Sequence, residues 1–129
     1  MDVVSNSFCA GGTVLGNGTW LNVGGNQAIT WGGATASGQT GQSPYEDWDG
    51  GFAIRFLDPC DDESCNWLDD QAMYMTSRRW YPTLETLEDG SALIFGGCEW
   101  GGYVNQATAQ QNNPTIEVSR GVAVFRWRT

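Results

Sequence analysis

The chain of 129 residues contains no histidine and no lysine, and its six basic residues are all arginine. Without an imidazole there is no Ser-His-Asp triad, no Cys-His dyad and no histidine metal ligand. Fifteen acidic side chains leave a net charge of −9, which repels nucleic acid and anionic membrane surfaces as partners. No apolar run approaches the roughly 20 residues of a spanning helix. The opening "MDVVSNSFC" lacks the basic start and apolar core of a secretory signal peptide. A Gly-x-Ser-x-Gly elbow is missing, and "GNGTWL" at Gly16 to Leu21 lacks the third glycine of a dinucleotide loop.

Glycine (18) and tryptophan (7) are abundant, which suits short strands, tight turns and aromatic packing in one domain at most. An internal repeat organises them. "SNSFCAGGTVLGNGTWLNVGG" from Ser5 aligns with "SRRWYPTLETLEDGSALIFGG" from Ser77 at a constant offset of 72. Ser5/Ser77, Leu15/Leu87, Gly18/Gly90, Leu21/Leu93 and the pairs Gly24-Gly25/Gly96-Gly97 are identical. Each copy reads as strand, turn, strand: Cys9 to Leu15, "GNG", then "TWLNV"; Tyr81 to Leu87, "EDG", then "SALIF". Asn-Gly and Asp-Gly favour two-residue hairpin turns. Third strands follow in "FAIRFLDP" and "TIEV", and "WLDDQAMYM" (Trp67 to Met75) supplies a fourth in the first copy.

Four-stranded units with a Gly-Gly after the second strand follow the plan of a kelch-type β-propeller blade. The fold class expected is all-β. Residues 1–76 form a first blade with long loop insertions, 77–118 a second, incomplete blade, and 119–129 an atypical tail rich in arginine. A shifted reading frame and a true strand with a basic end both account for that tail. Two blades do not close a ring, so the chain is expected to be a fragment whose missing blades complete the propeller. In this plan Cys9 and Tyr81 take equivalent places on neighbouring blades, near the axis. A thiol and a phenol are then expected to meet; a cysteine packed as a small apolar residue is the plain alternative.

The stretches "SFCAGGTVLGNGTWLNVGGN", "SRRWYPTLETLEDGSALIFGG" and "GGYVN…NNPT" resemble the galactose oxidase/glyoxal oxidase family of copper radical oxidases. "CAGG" and "RRWYPT" lie closer to the glyoxal oxidase branch, and the resemblance covers about residues 2 to 118. It implies a seven-bladed propeller holding one copper. It also implies a thioether between Cys9 and Tyr81, with Tyr81 ligating the metal and carrying the oxidising radical. Trp100 is the nearest candidate for the tryptophan that the family places over this tyrosine. The activity implied is oxidation of glyoxal-type aldehydes or primary alcohols by O2, with release of hydrogen peroxide, in a secreted enzyme. The second tyrosine and the two histidines of such a site come from later blades. The chain alone is therefore expected to be inactive. A kelch-repeat protein-binding module and a non-functional truncated product are the rival readings.

Cys60 and Cys65, with four residues between them in "DPCDDESCNW", are placed to close a small disulfide, which suits the secreted habit of the family. Zinc lacks two further ligands there. Cys98 has no evident partner. Arg78 and Arg79 orient Tyr81 or a substrate in one reading and pair between blades in the other. Asp58, Asp61, Asp62, Glu63, Asp69 and Asp70 miss the calcium-loop spacing and read as a solvated acidic loop. "NGT" at Asn17 is a glycosylation sequon inside the expected hairpin turn.

Overall fold

A computed structural model describes residues 3–44, 46–101, 111–120 and 123–125. Alternating short apolar runs and turn residues produce an all-β chain with two four-stranded antiparallel sheets. The first sheet is β1 (Gly11–Val14), β2 (Trp20–Val23), β3 (Ile54–Leu57) and β4 (Leu68–Asp69), in that order. The second is β5 (Thr83–Thr86), β6 (Ala92–Phe95), β7 (Ile116–Arg120) and β8 (Ala123–Phe125). A 3-10 turn, Gln71–Met73, follows β4. Among the described residues, no helix is long and apolar enough to cross a membrane.

The 72-residue offset survives in the backbone. β1 and β5 start at Gly11 and Thr83, and the registers Gly11↔Val23 and Thr83↔Phe95 are equivalent. Both hairpins close alike: Gly18 and Gly90 donate to the carbonyls of Leu15 and Leu87, each at 2.9 Å. Only the glycine of each turn has positive φ, 90° at Gly18 and 81° at Gly90. The turns are therefore three-residue loops closed by a left-handed glycine, not the two-residue form expected from Asn-Gly and Asp-Gly. Asn17 and Asp89 instead turn their side chains back, accepting from the amides of Thr19 (3.1 Å) and Ser91 (3.0 Å).

Two sequence expectations meet different outcomes. "WLDDQAMYM" is a strand only over Leu68–Asp69, because Asp70 caps the 3-10 turn by accepting the Ala72 amide hydrogen. β8 lies inside 119–129, the stretch that composition sets apart as a tail, and gives the second sheet its fourth strand.

The sheets pack face to face with β1 against β5. Alternation along β2 and β6 directs Leu21 and Val23 from one sheet and Ala92 and Ile94 from the other into one cluster. Ile54, Phe56, Leu15, Met73 and Met75 complete it. Each of the larger side chains contributes roughly 1.5–3 kcal/mol by leaving water. The opposite face of β6–β7 stays open: Phe95 and Ile116, directly paired, are 49% and 46% exposed.

Between the sheets runs the crossing segment Ser77 to Tyr81, and Arg79 at its centre is fully buried. Its guanidinium donates to the carbonyls of Gly96 (2.7 Å) and Thr115 (3.1 Å), to Thr115 Oγ1 (2.7 Å) and to Glu117 (2.9 Å), all on the second sheet's side. Its backbone bonds the first sheet's side, donating to Gly51 (2.9 Å) and accepting from Gly25 (3.0 Å). Arginine cannot shed its proton to escape burial, so removing its carboxylate leaves a bare charge in the core. Glu117→Ala is expected to destabilise the chain by about 3–5 kcal/mol. A urea titration checks this, and an unchanged midpoint would show that the ion pair is dispensable.

Candidate functional site

The ends of the two repeats meet at Cys9 and Tyr81. Neither residue lies in its strand; each sits two residues ahead, in a tight turn, with φ of 64° and 50°. Left-handed backbone is uncommon for residues with a side chain and costs on the order of 1–3 kcal/mol, so neighbouring bonds must hold it. Cys9 follows Asn6, which is clamped on three sides. The Asn6 amide donates to Trp48 (2.8 Å), its Nδ2 donates to Gln27 (3.0 Å), and its Oδ1 accepts from Phe8 (3.0 Å). Tyr81 donates its amide hydrogen to the Cys9 carbonyl at 2.8 Å, and Trp80 exchanges two backbone bonds with Cys98, of 2.6 and 2.9 Å.

Two glycines permit this approach. A Cβ on Gly97 would stand 2.5 Å from the Trp80 carbonyl, and one on Gly25 would overlap the carbonyl of Asn6. Both have positive φ, 91° and 138°.

The outcome is a direct contact: Cys9 Sγ donates to Tyr81 Oη at 2.9 Å. Tyr81 as a whole residue is 65% exposed. Its pKa is raised above the usual value, first by the hydrogen bond with Cys9, then by the charge of the Cys9 thiolate. Both effects disfavour the phenolate, so the phenol holds its proton longer. Cys98, 2% exposed, sits within electrostatic reach of both; burial pushes its own thiol up, and Cys9 adds to that.

Phe8 and Trp80, the residues just before the pair, also meet across the repeat. Their rings cross edge to face at 6.4 Å, and Trp80 stands edge-on to Tyr81 at 6.1 Å. Trp100 is engaged elsewhere: the Arg78 guanidinium lies over its ring at 4.3 Å and near Phe52 at 5.1 Å. Arg78 also holds both Asp49 oxygens, at 2.6 and 2.8 Å. The Trp100 segment still borders the site, since an added Cβ on Gly101 would run into the Trp80 ring. Arg78 and Arg79 both make contacts between the sheets. Trp80 and Cys98 are neighbours of the pair that motif reading passes over. For Trp80 a signal existed, because it is the repeat partner of Phe8.

Cys60 and Cys65 are joined by a disulfide with their Cα atoms 5.6 Å apart, on the exposed loop between β3 and β4. The acidic residues around it disperse rather than converge. Asp58 accepts from Thr19, Asp62 from Ser64, and Asp69 from Ser5 and Tyr74. Among the described residues, no group of three or more His, Cys, Asp or Glu is placed to hold a metal.

The family described as glyoxal oxidase N-terminus matches residues 30–120. The chain belongs to that family. The match includes Tyr81 and leaves Cys9 outside it. The "Aldehyde oxidase GLOX1" of Arabidopsis thaliana is 29% identical over 114 residues, covering 88% of this chain and 15% of that relative. The chain thus spans about one seventh of the length of the curated relative it matches.

The family points to copper. The donors on this chain fit part of such a site: one exposed phenol oxygen beside a thiol, and no histidine anywhere in the sequence. Imidazole is the ordinary nitrogen ligand of copper(II), and this sequence offers none, so the pair alone does not make up a copper site.

Tyr74 provides a contrast for titration, its phenol being pushed up to about 12 chiefly by desolvation. In chains without a cross-link, Cys9→Ala is expected to lower the Tyr81 midpoint toward the ordinary phenol range. Ultraviolet difference titration of the two forms checks this. An unmoved or raised midpoint would show that the thiol does not govern the phenol.

Proposed function

We propose that this chain contributes a thiol–phenol pair to a copper radical oxidase acting on glyoxal-type aldehydes or primary alcohols, with O2 as acceptor and hydrogen peroxide as product. The observation that carries the reading is the 2.9 Å contact between Cys9 Sγ and Tyr81 Oη, made at repeat-equivalent positions in matching left-handed turns. The family match supports the coarser part, and the name of the Arabidopsis relative supports an aldehyde as substrate class.

Sγ forms a bond to the ring carbon beside the Tyr81 hydroxyl. The thiol hydrogen and one ring hydrogen leave as protons, and the electron pair passes to dioxygen. Sulfur then feeds electron density into the ring, which eases loss of an electron from the phenolate and preserves the radical. Copper, when bound, supplies the second one-electron acceptor needed for a two-electron oxidation. Tyr81 Oη serves as a metal ligand. Trp80 walls the ring from one edge, and Trp100, packed on Arg78, adjoins the site only through its neighbour Gly101. The disulfide between Cys60 and Cys65 agrees with export to an oxidising compartment.

Further blades complete the reading. Leu93, Phe95, Ile116 and Val118 on the open face of the second sheet correspond in register to Leu21, Val23, Ile54 and Phe56, which the second sheet covers in the first. The open face therefore has the composition of one that receives another sheet.

A peptide mass map of the protein purified from its source tests the cofactor. Cys9 and Tyr81 are expected in one cross-linked species, lighter than the separate peptides by the pair of hydrogens lost. Two unmodified peptides would overturn the cross-link and favour a kelch-type binding module.

A further inference from the structure

Asn17, Gly18 and Thr19 form an Asn-x-Thr acceptor sequence in the loop between β1 and β2. In the folded hairpin the Asn17 amide is divided in its use. Oδ1 accepts the Thr19 amide hydrogen at 3.1 Å and braces the turn, whereas Nδ2 donates no hydrogen bond among the described residues. The side chain is exposed. A substituent on Nδ2 therefore displaces nothing that the turn relies on.

There is also room for one. Beside Asn17 lies a groove of about 550 Å³ between the two hairpin turns, walled by Leu15 and edged by Glu88, Asp89 and Ser91. A saccharide finds there several hydrogen-bonding groups. The turn follows β1, whereas Cys9 precedes it, so a large group here stands clear of the thiol–phenol pair.

We propose that Asn17 is an attachment site for an N-linked glycan. In the transfer, Nδ2 loses one proton and bonds the anomeric carbon of a lipid-diphosphate-linked oligosaccharide. The lipid diphosphate leaves, and no electrons change hands. The structure also orders the events. The Thr19 hydroxyl, part of the acceptor sequence, is bonded to Asp58 in a residue only 7% exposed. Once the hairpin has closed, that hydroxyl is out of reach, so attachment precedes closure. The inference rests on the export part of the proposed function and not on its redox chemistry.

The test supplies export, so that a bare Asn17 counts against the site alone. The full chain behind a secretion leader is translated with microsomal membranes, and protease-protected chains are sized before and after endoglycosidase treatment. Wild type is expected to lose mass on treatment, and Asn17→Gln to run from the start at the treated size. Asp58→Asn, which weakens the hold on Thr19, is expected to raise the glycosylated fraction. An unchanged fraction in Asp58→Asn would overturn the proposed order of events. Protected chains of both wild type and Asp58→Asn without any endoglycosidase-sensitive mass would overturn the site.

Discussion

Arg79 is the residue on which the arrangement of the two sheets depends. Its side chain is spent on the second sheet and its backbone on the first, so one buried residue ties both together. The cost of burying a guanidinium is met by four acceptors, one of them a carboxylate with 3% exposure. Apolar residues of equal volume would serve stability as well, but they would not dictate where the crossing chain lies. Polar directionality does. With Arg79 fixed, Trp80 and Tyr81 follow within two residues, and the phenol is delivered to the thiol.

The first sheet solves a related problem with different residues. Arg55 lies on β3 where Glu117 lies on β7, judged from their partners Asn22 and Ile94 in the two registers. In one sheet the arginine is on the strand and its carboxylate, Asp69, on the next strand. In the other the carboxylate is on the strand and the arginine arrives from the crossing segment. Ser5 and Ser77, identical in the repeat, each hydrogen-bond to the local carboxylate. The backbone repeat is thus kept while the charges are exchanged, and the same licence allows a thiol at position 9 and a phenol at position 81.

Strand order, hairpin pairing and the meeting of Cys9 with Tyr81 are legible in the sequence because all three follow from one offset. Local pattern reaches that far: glycine pairs and alternating apolar residues mark register. What is not legible depends on contacts distant in sequence. Nothing near Arg78 announces that Asp49, 29 residues earlier, will hold it, or that Trp100 will lie under its guanidinium. The left-handed turns at Cys9 and Tyr81 read as the beginnings of strands, since neither residue is a glycine or asparagine. β8 hides in an arginine-rich stretch whose composition argues for a change of structure and whose backbone continues the sheet.

On the proposed reading, the incompleteness of the copper site and of the apolar surface are one fact. A metal needs donors that converge from several directions, and adjacent blades supply only those directions that their own near-axis ends face. Here two blades bring one phenol and one thiol together and leave Tyr81 65% exposed. The same two blades leave Phe95 and Ile116 open. Packing another sheet on that face buries the apolar pair, and repeating the step carries new ends around the axis toward Tyr81 Oη. On that reading, the hydrophobic closure that covers the open face is the same step that gathers the remaining ligands.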